Sequence, residues 1–133
     1  MSKTKKIALI VFSLVVILTG VASYFVIKIQ DELEYLKIIH IEDVDLLQID
    51  DGEYIGEYDS FPVSAIVEVE IVNHEIVDIT IVEHINGQGD AGELIVESVI
   101  NSQSLDVDSI AGATYSSRVI LLAIEAALVN ANN

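Results

Sequence analysis

Between Lys6 and Lys28 the chain runs IALIVFSLVVILTGVASYFVI, Ile7 to Ile27, without one charged side chain. As an α-helix those 21 residues reach about 32 Å, enough to cross the hydrocarbon core of a bilayer. Lys3, Lys5 and Lys6 precede the segment and no acid occurs before Asp31. By the positive-inside rule this predicts a single-pass signal-anchor in the cytoplasmic membrane, amino end in the cytoplasm and the remainder outside. The competing reading is a cleavable secretory signal, for which Val21-Ala22-Ser23 offers a small-residue site. The apolar run continues past that site to Ile27, which favours the anchor. The expected organisation is a basic tail (1–6), a transmembrane helix (7–28), a juxtamembrane stalk and connector (29–50) and one folded domain (51–133).

Charge separates as sharply as polarity does. The chain has 6 Lys+Arg and 22 Asp+Glu, net −16. From residue 29 onward only Lys37 and Arg118 oppose all 22 acids. A surface so acidic excludes nucleic acid as a partner, because a duplex demands neutralisation of its phosphates. There is no cysteine, which excludes disulfides, thiolate metal sites, cysteine nucleophiles and acylated-cysteine anchors.

After the apolar run, Gln30 to His40 has Leu33, Leu36 and Ile39 at helical spacing and reads as a stalk helix, and Leu46–Ile49 as a short strand. A strand begins near Gly52, with Tyr54 and Tyr58, and Phe61-Pro62 ends it. Val63, Ala65, Val67, Val69 and Ile71 alternate with polar residues, as do Val77, Ile79 and Ile81. Asn73-His74 between them predicts a hairpin turn. Asp90 is placed to cap a helix from Ala91 to Gln103. Tyr115 to Val129 is apolar nearly all round and reads as the core helix. The fold class is α+β: an antiparallel sheet packed by two helices, preceded by one transmembrane helix.

Two motifs carry chemistry. GQGDAG, Gly87 to Gly92, matches G-x-G-x-x-G after a strand and ahead of a helix, with Asp106 near the ribose-binding offset. A dinucleotide fold needs a parallel strand after that helix, and the chain holds no credible one, so a turn is the better reading. The second is DSIAGATYSSR, Asp108 to Arg118. Gly112 and Ala113 permit close backbone approach. Thr114, Ser116 and Ser117 crowd hydroxyls at a helix start, where free N–H groups favour a phosphate, and Arg118 adds a cation. The same residues also suit a plain turn with Thr114 as N-cap.

DSIAGATYSS resembles the flavinylation motif of the FMN-binding domain family, which includes extracytoplasmic flavin subunits of sodium-pumping quinone reductases and of related ferredoxin-oxidising complexes. Asp108, Gly112, Ala113 and Thr114 match that motif; Ala111 stands where Ser or Thr is usual. Asp51, Gly52, Tyr54 and Gly56 match the family's opening Asp-Gly-x-Tyr-x-Gly. The hairpin, Glu83-His84, Gln103-Ser104 and the Ala-rich last helix also fit, while His74 replaces a glycine often found in the turn. The resemblance spans about Asp51 to Leu128.

It implies FMN joined through its phosphate to the Thr114 hydroxyl by a separate flavin transferase using FAD and a divalent metal, with Asp108 as a recognition residue. It further implies membrane redox partners and an electron carrier, or a subunit of an oxidoreductase system, in place of a stand-alone enzyme. No acid–base pair or metal cluster is apparent in the sequence, and no evident base lies beside Thr114. Tyr115 and His84 are candidates to contact the flavin, which gives a cofactor set of Thr114, Asp108, Ala111, Gly112, Ala113, Tyr115, Ser116, Ser117, Arg118 and His84. Two other readings remain: an anchored assembly module with the same fold and no flavin, and a non-covalent nucleotide site at Gly87–Gly92.

Overall fold

A computed structural model describes residues 2–86 and 90–132. The chain divides into two compact units, Met1–Glu32 and Leu33–Asn133. The first lies in helix α1 (Lys3–Ile38). Its apolar side chains are exposed on every side, from Ile7 to Ile27, as suits a helix whose solvent is lipid. Its polar side chains cost little there, because Ser13 Oγ donates to the Ile10 carbonyl at 2.9 Å and Thr19 Oγ1 to that of Val15 at 2.8 Å. The helix is long and apolar enough for a single-pass membrane anchor.

The second unit is α+β. Strands β1 (Gly52–Ser60), β2 (Val63–Val72) and β3 (Glu75–Ile85) form an antiparallel sheet in the order β1-β2-β3. A 3-10 helix (Asp90–Leu94), α2 (Ile95–Ser102) and α3 (Thr114–Ala131) follow. The alternation in β2 sets the arrangement: Val63, Ala65, Val67, Val69 and Ile71 all point into the core. Against that face lies α3, which buries Val119, Ile120, Ile124, Ala127 and Leu128. Gly56 lets the helix touch β1 directly. A Cβ there would stand 1.9 Å from the Ala123 carbonyl oxygen and 2.3 Å from the Ala127 nitrogen.

The hairpin turn is Asn73-His74, both at positive φ (52° and 64°), as a two-residue turn matched to strand twist requires. Histidine is costly in that conformation, and its ring Nδ1 sits 2.9 Å from the Ile49 carbonyl oxygen, a bond that offsets the strain.

Strand β3 departs from simple alternation. Its register against β2 shifts twice, leaving Val77 and Val82 as extra residues. Ile76 therefore enters the core and Val77 is exposed, the reverse of the alternation that had Val77 inward; Ile79 and Ile81 keep the expected face. The second shift sets His84 opposite Ala65, on the core side. The free edge of β3 is partly covered by Gln103, at the left-handed end of α2. Its Oε1 accepts from the Ile76 N–H at 2.7 Å and its Nε2 donates to the Ile76 carbonyl at 2.8 Å.

Residues expected to be stalk and connector join the core. Leu36 and Ile49 are fully buried. Leu46–Gln48 is a 3-10 turn capped by Asp45, where the sequence suggested a strand. The Asp43 carboxylate accepts from Ser104 Oγ at 2.7 Å and the Leu105 N–H at 2.9 Å. Asp90 lies within the 3-10 helix and does not cap α2, which has no side-chain cap.

Candidate functional site

The motif Asp108–Arg118 forms a turn feeding α3. The Ala113 N–H donates to the Ile110 carbonyl at 3.0 Å, and Gly112 takes φ 78° in open space, a conformation glycine adopts freely. Ser117 locks the turn to the helix: its Oγ accepts from the Ile110 N–H at 3.0 Å and donates to the Ala113 carbonyl at 2.8 Å. Ser117 is fully buried and Ser116 nearly so. These two hydroxyl residues therefore build the helix start from inside.

Thr114 differs. It is exposed, and it is the first residue of α3, not its N-cap. Ala113 holds the N-cap position and has no oxygen to offer, so no side chain caps the helix. Among the described residues the first-turn N–H groups thus have no side-chain partner, and they and the positive end of an 18-residue helix dipole suit an anion. Among the described residues no histidine or carboxylate hydrogen-bonds the Thr114 hydroxyl. Ala111 and Asp108 are exposed in the preceding loop. The Ala111 methyl is not demanded by packing.

The 3-10 helix Asp90–Leu94 lies on this first turn. Gly92 is buried, and a Cβ on it would meet Ser116 Cβ at 2.6 Å and the Ser117 nitrogen at 3.0 Å. Its neighbour Glu93 reaches His84, with Oε1 3.0 Å from Nδ1. A carboxylate only accepts, so Nδ1 carries a proton. The Asn86 amide stands beside Nδ1 and donates to Asp90 at 3.1 Å. The His84 side chain is 2% exposed, and among the described residues its buried Nε2 has no partner. An unpaired buried ring nitrogen costs on the order of 1–3 kcal/mol.

The glycine-loop reading fails on architecture. The sheet is wholly antiparallel and no strand follows the helix, so the dinucleotide fold is absent among the described residues. Gly87 and Gly89 lie outside the described residues, and Gly92 serves helix packing.

Arg118, expected to face a phosphate, turns two of its N–H donors elsewhere. Its Nε and one terminal nitrogen donate to the carbonyl oxygens of Leu36 and Ile39, capping the end of α1. A polar cleft of about 320 Å³ beside it is lined by Lys37, His40, Asp106 and Arg118 among others, and Thr114 is not among its lining residues.

Two residues beyond the sequence-based set join the site. One is Glu93, whose signal in sequence was only its place after a buried glycine. The other is Lys37. Its Nζ lies 5.4 Å from the Tyr115 ring centroid and 2.7 Å from Glu34 Oε1. The Glu34 carboxylate, and after it the Tyr115 hydroxyl, holds its pKa above the ordinary lysine value of 10.5. Its one trace in the sequence is that it and Arg118 are the only cations after residue 28, which does not place it at the site.

A model of the FMN-binding domain family matches residues 62–129. No curated protein matches the chain.

Proposed function

The chain belongs to the FMN-binding domain family and is a flavin-binding protein; from that premise we propose a membrane-tethered, extracytoplasmic electron carrier whose FMN is joined through its phosphate to Thr114. The observation that carries this reading is the exposed Thr114 hydroxyl at the uncapped amino end of α3. The residues present fit the group. A helix start without a cap accepts a phosphate, and His84 Nε2, which has no hydrogen-bond partner among the described residues, lies beside the 3-10 helix packed on that start.

Bound FMN supplies the redox chemistry, taking up and passing on electrons singly or in pairs. The chain does the holding. Thr114 Oγ1 bonds to the FMN phosphorus of FAD, the bond between the two phosphates breaks, and AMP leaves. The hydroxyl proton passes to a base of the flavin transferase, since an alcohol needs activation and no base hydrogen-bonds Thr114 among the described residues. The transferase, with its divalent metal, is therefore a required partner, and Asp108 is a recognition residue for it. The first-turn N–H groups of α3 receive the phosphodiester, and His84, oriented by Glu93, faces the flavin. The apolar helix within residues 7–28 anchors the protein in the bilayer, the three lysines before it hold the amino end in the cytoplasm, and the acidic domain steers towards basic redox partners.

The test is to express the full chain with a flavin transferase and run a denaturing gel. A band with flavin fluorescence is expected for the wild type and Thr114→Ser, and none for Thr114→Val. A wild-type band of unmodified mass would refute the covalent link and leave the anchored module without attached flavin.

A further inference from the structure

The acidic part of the chain has two cations, and folding brings both to the start of α3. Arg118 holds the end of α1: its two hydrogen bonds to the Leu36 and Ile39 carbonyls, with the fully buried Leu36 side chain, fix that helix end against α3. Lys37 is carried on the same turn. Its ammonium is thereby held over the ring of Tyr115, the residue after Thr114. Of its three N–H donors one is taken by Glu34, and its side chain is 42% exposed. A phosphodiester on Thr114 adds a negative charge to a domain that already carries a large excess of them. Of the two cations, Arg118 is half-buried and holds the end of α1 with two of its N–H donors, which leaves the exposed Lys37 ammonium as the freer one for that charge.

Resting on the flavin reading above, we propose that Lys37 is the cation that holds the flavin phosphate at Thr114. The flavin site then includes the last turn of α1, outside the residues 62–129 that match the family. Glu34 competes with the phosphate for the same ammonium and keeps the lysine in place before loading.

The experiment uses the full chain in mild detergent, with a flavin transferase, FAD and its metal. Loading is followed by gel fluorescence, and melting temperature is measured before and after loading. Lys37→Gln should melt like the wild type before loading. Its loading rate should fall about fivefold at low salt, with the difference shrinking as salt rises. Lys37→Arg should load like the wild type and Glu34→Gln faster. The change in melting temperature produced by loading should be less favourable in Lys37→Gln than in the wild type. Equal loading rates and equal melting shifts in Lys37→Gln and wild type would overturn the proposal while leaving the Thr114 link standing. A slower rate with an unchanged melting shift would also overturn it, because Lys37 would then be read by the transferase and not by the phosphate. A wild type that never loads would overturn both.

Discussion

Replacing Gly92 with alanine tests whether the 3-10 helix seated on α3 is what holds the site together. The added Cβ would stand 2.6 Å from Ser116 Cβ, about 0.9 Å short of the closest comfortable carbon–carbon contact. Rotating a side chain cannot relieve this, since a Cβ has no rotamer and the next atom met is the Ser117 nitrogen at 3.0 Å. The first turn of α3 cannot retreat, because Ser117 is fully buried and bonded to the turn before it. So the segment Asp90–Leu94 must lift by about 1 Å. The Glu93–His84 bond, 3.0 Å in the native fold, then stretches past hydrogen-bonding range. Overpacking of this kind costs about 1–3 kcal/mol, the lost bond about 1 kcal/mol, and the reduced freedom of the unfolded chain returns about 0.4–1 kcal/mol. The net loss of about 2 kcal/mol lowers the melting temperature by about 10 °C for a domain of this size. Circular dichroism of the full chain in detergent reads the melt, and gel fluorescence after transferase treatment reads the loading, which should fall with it. A variant melting within about 2 °C of the wild type and loading equally would refute the reasoning.

Two other changes follow from the sheet. Gly56→Ala puts a methyl into the backbone of α3 at Ala123 and Ala127; with no flexible atom to yield, the loss should exceed about 4 kcal/mol, seen as a chain cleaved rapidly by protease under native conditions. On the outer face Glu53, Glu70 and Asp78 stand in one row across all three strands. Glu70→Gln should therefore stabilise the domain by about 0.5–1 kcal/mol at low salt in urea denaturation, a gain that shrinks towards zero at about 1 M salt.

The parts legible in the sequence were those whose cause is local. The uncharged run Ile7–Ile27, the alternation of Val63–Ile71 and the all-round apolar Tyr115–Val129 each declare an element through periodicity. The element after β3 was placed but mistyped at its start, because Asp90–Leu94 winds as a tighter helix to lie on Ser116. The two register shifts were invisible, since Ile76-Val77 and Ile81-Val82 are apolar pairs and periodicity cannot say which member faces in. The motif Asp108–Arg118 was legible as a unit, while its division of labour was not. Ser117 and Arg118 look like ligand groups until the fold shows one locking a turn and the other capping a distant helix. Lys37 was hidden for the same reason: its neighbour Tyr115 is remote in sequence, and only the burial of Leu36 brings them together.

The extra residues Val77 and Val82 make β3 tolerant of shortening. Losing either would erase a bulge and leave every other side chain on its present face, whereas losing one residue from the middle of β2 would turn part of that strand inside out. Single-residue length differences among relatives should therefore accumulate in β3 and be missing from β2, and an alignment that spreads such gaps evenly across the hairpin is misplacing them.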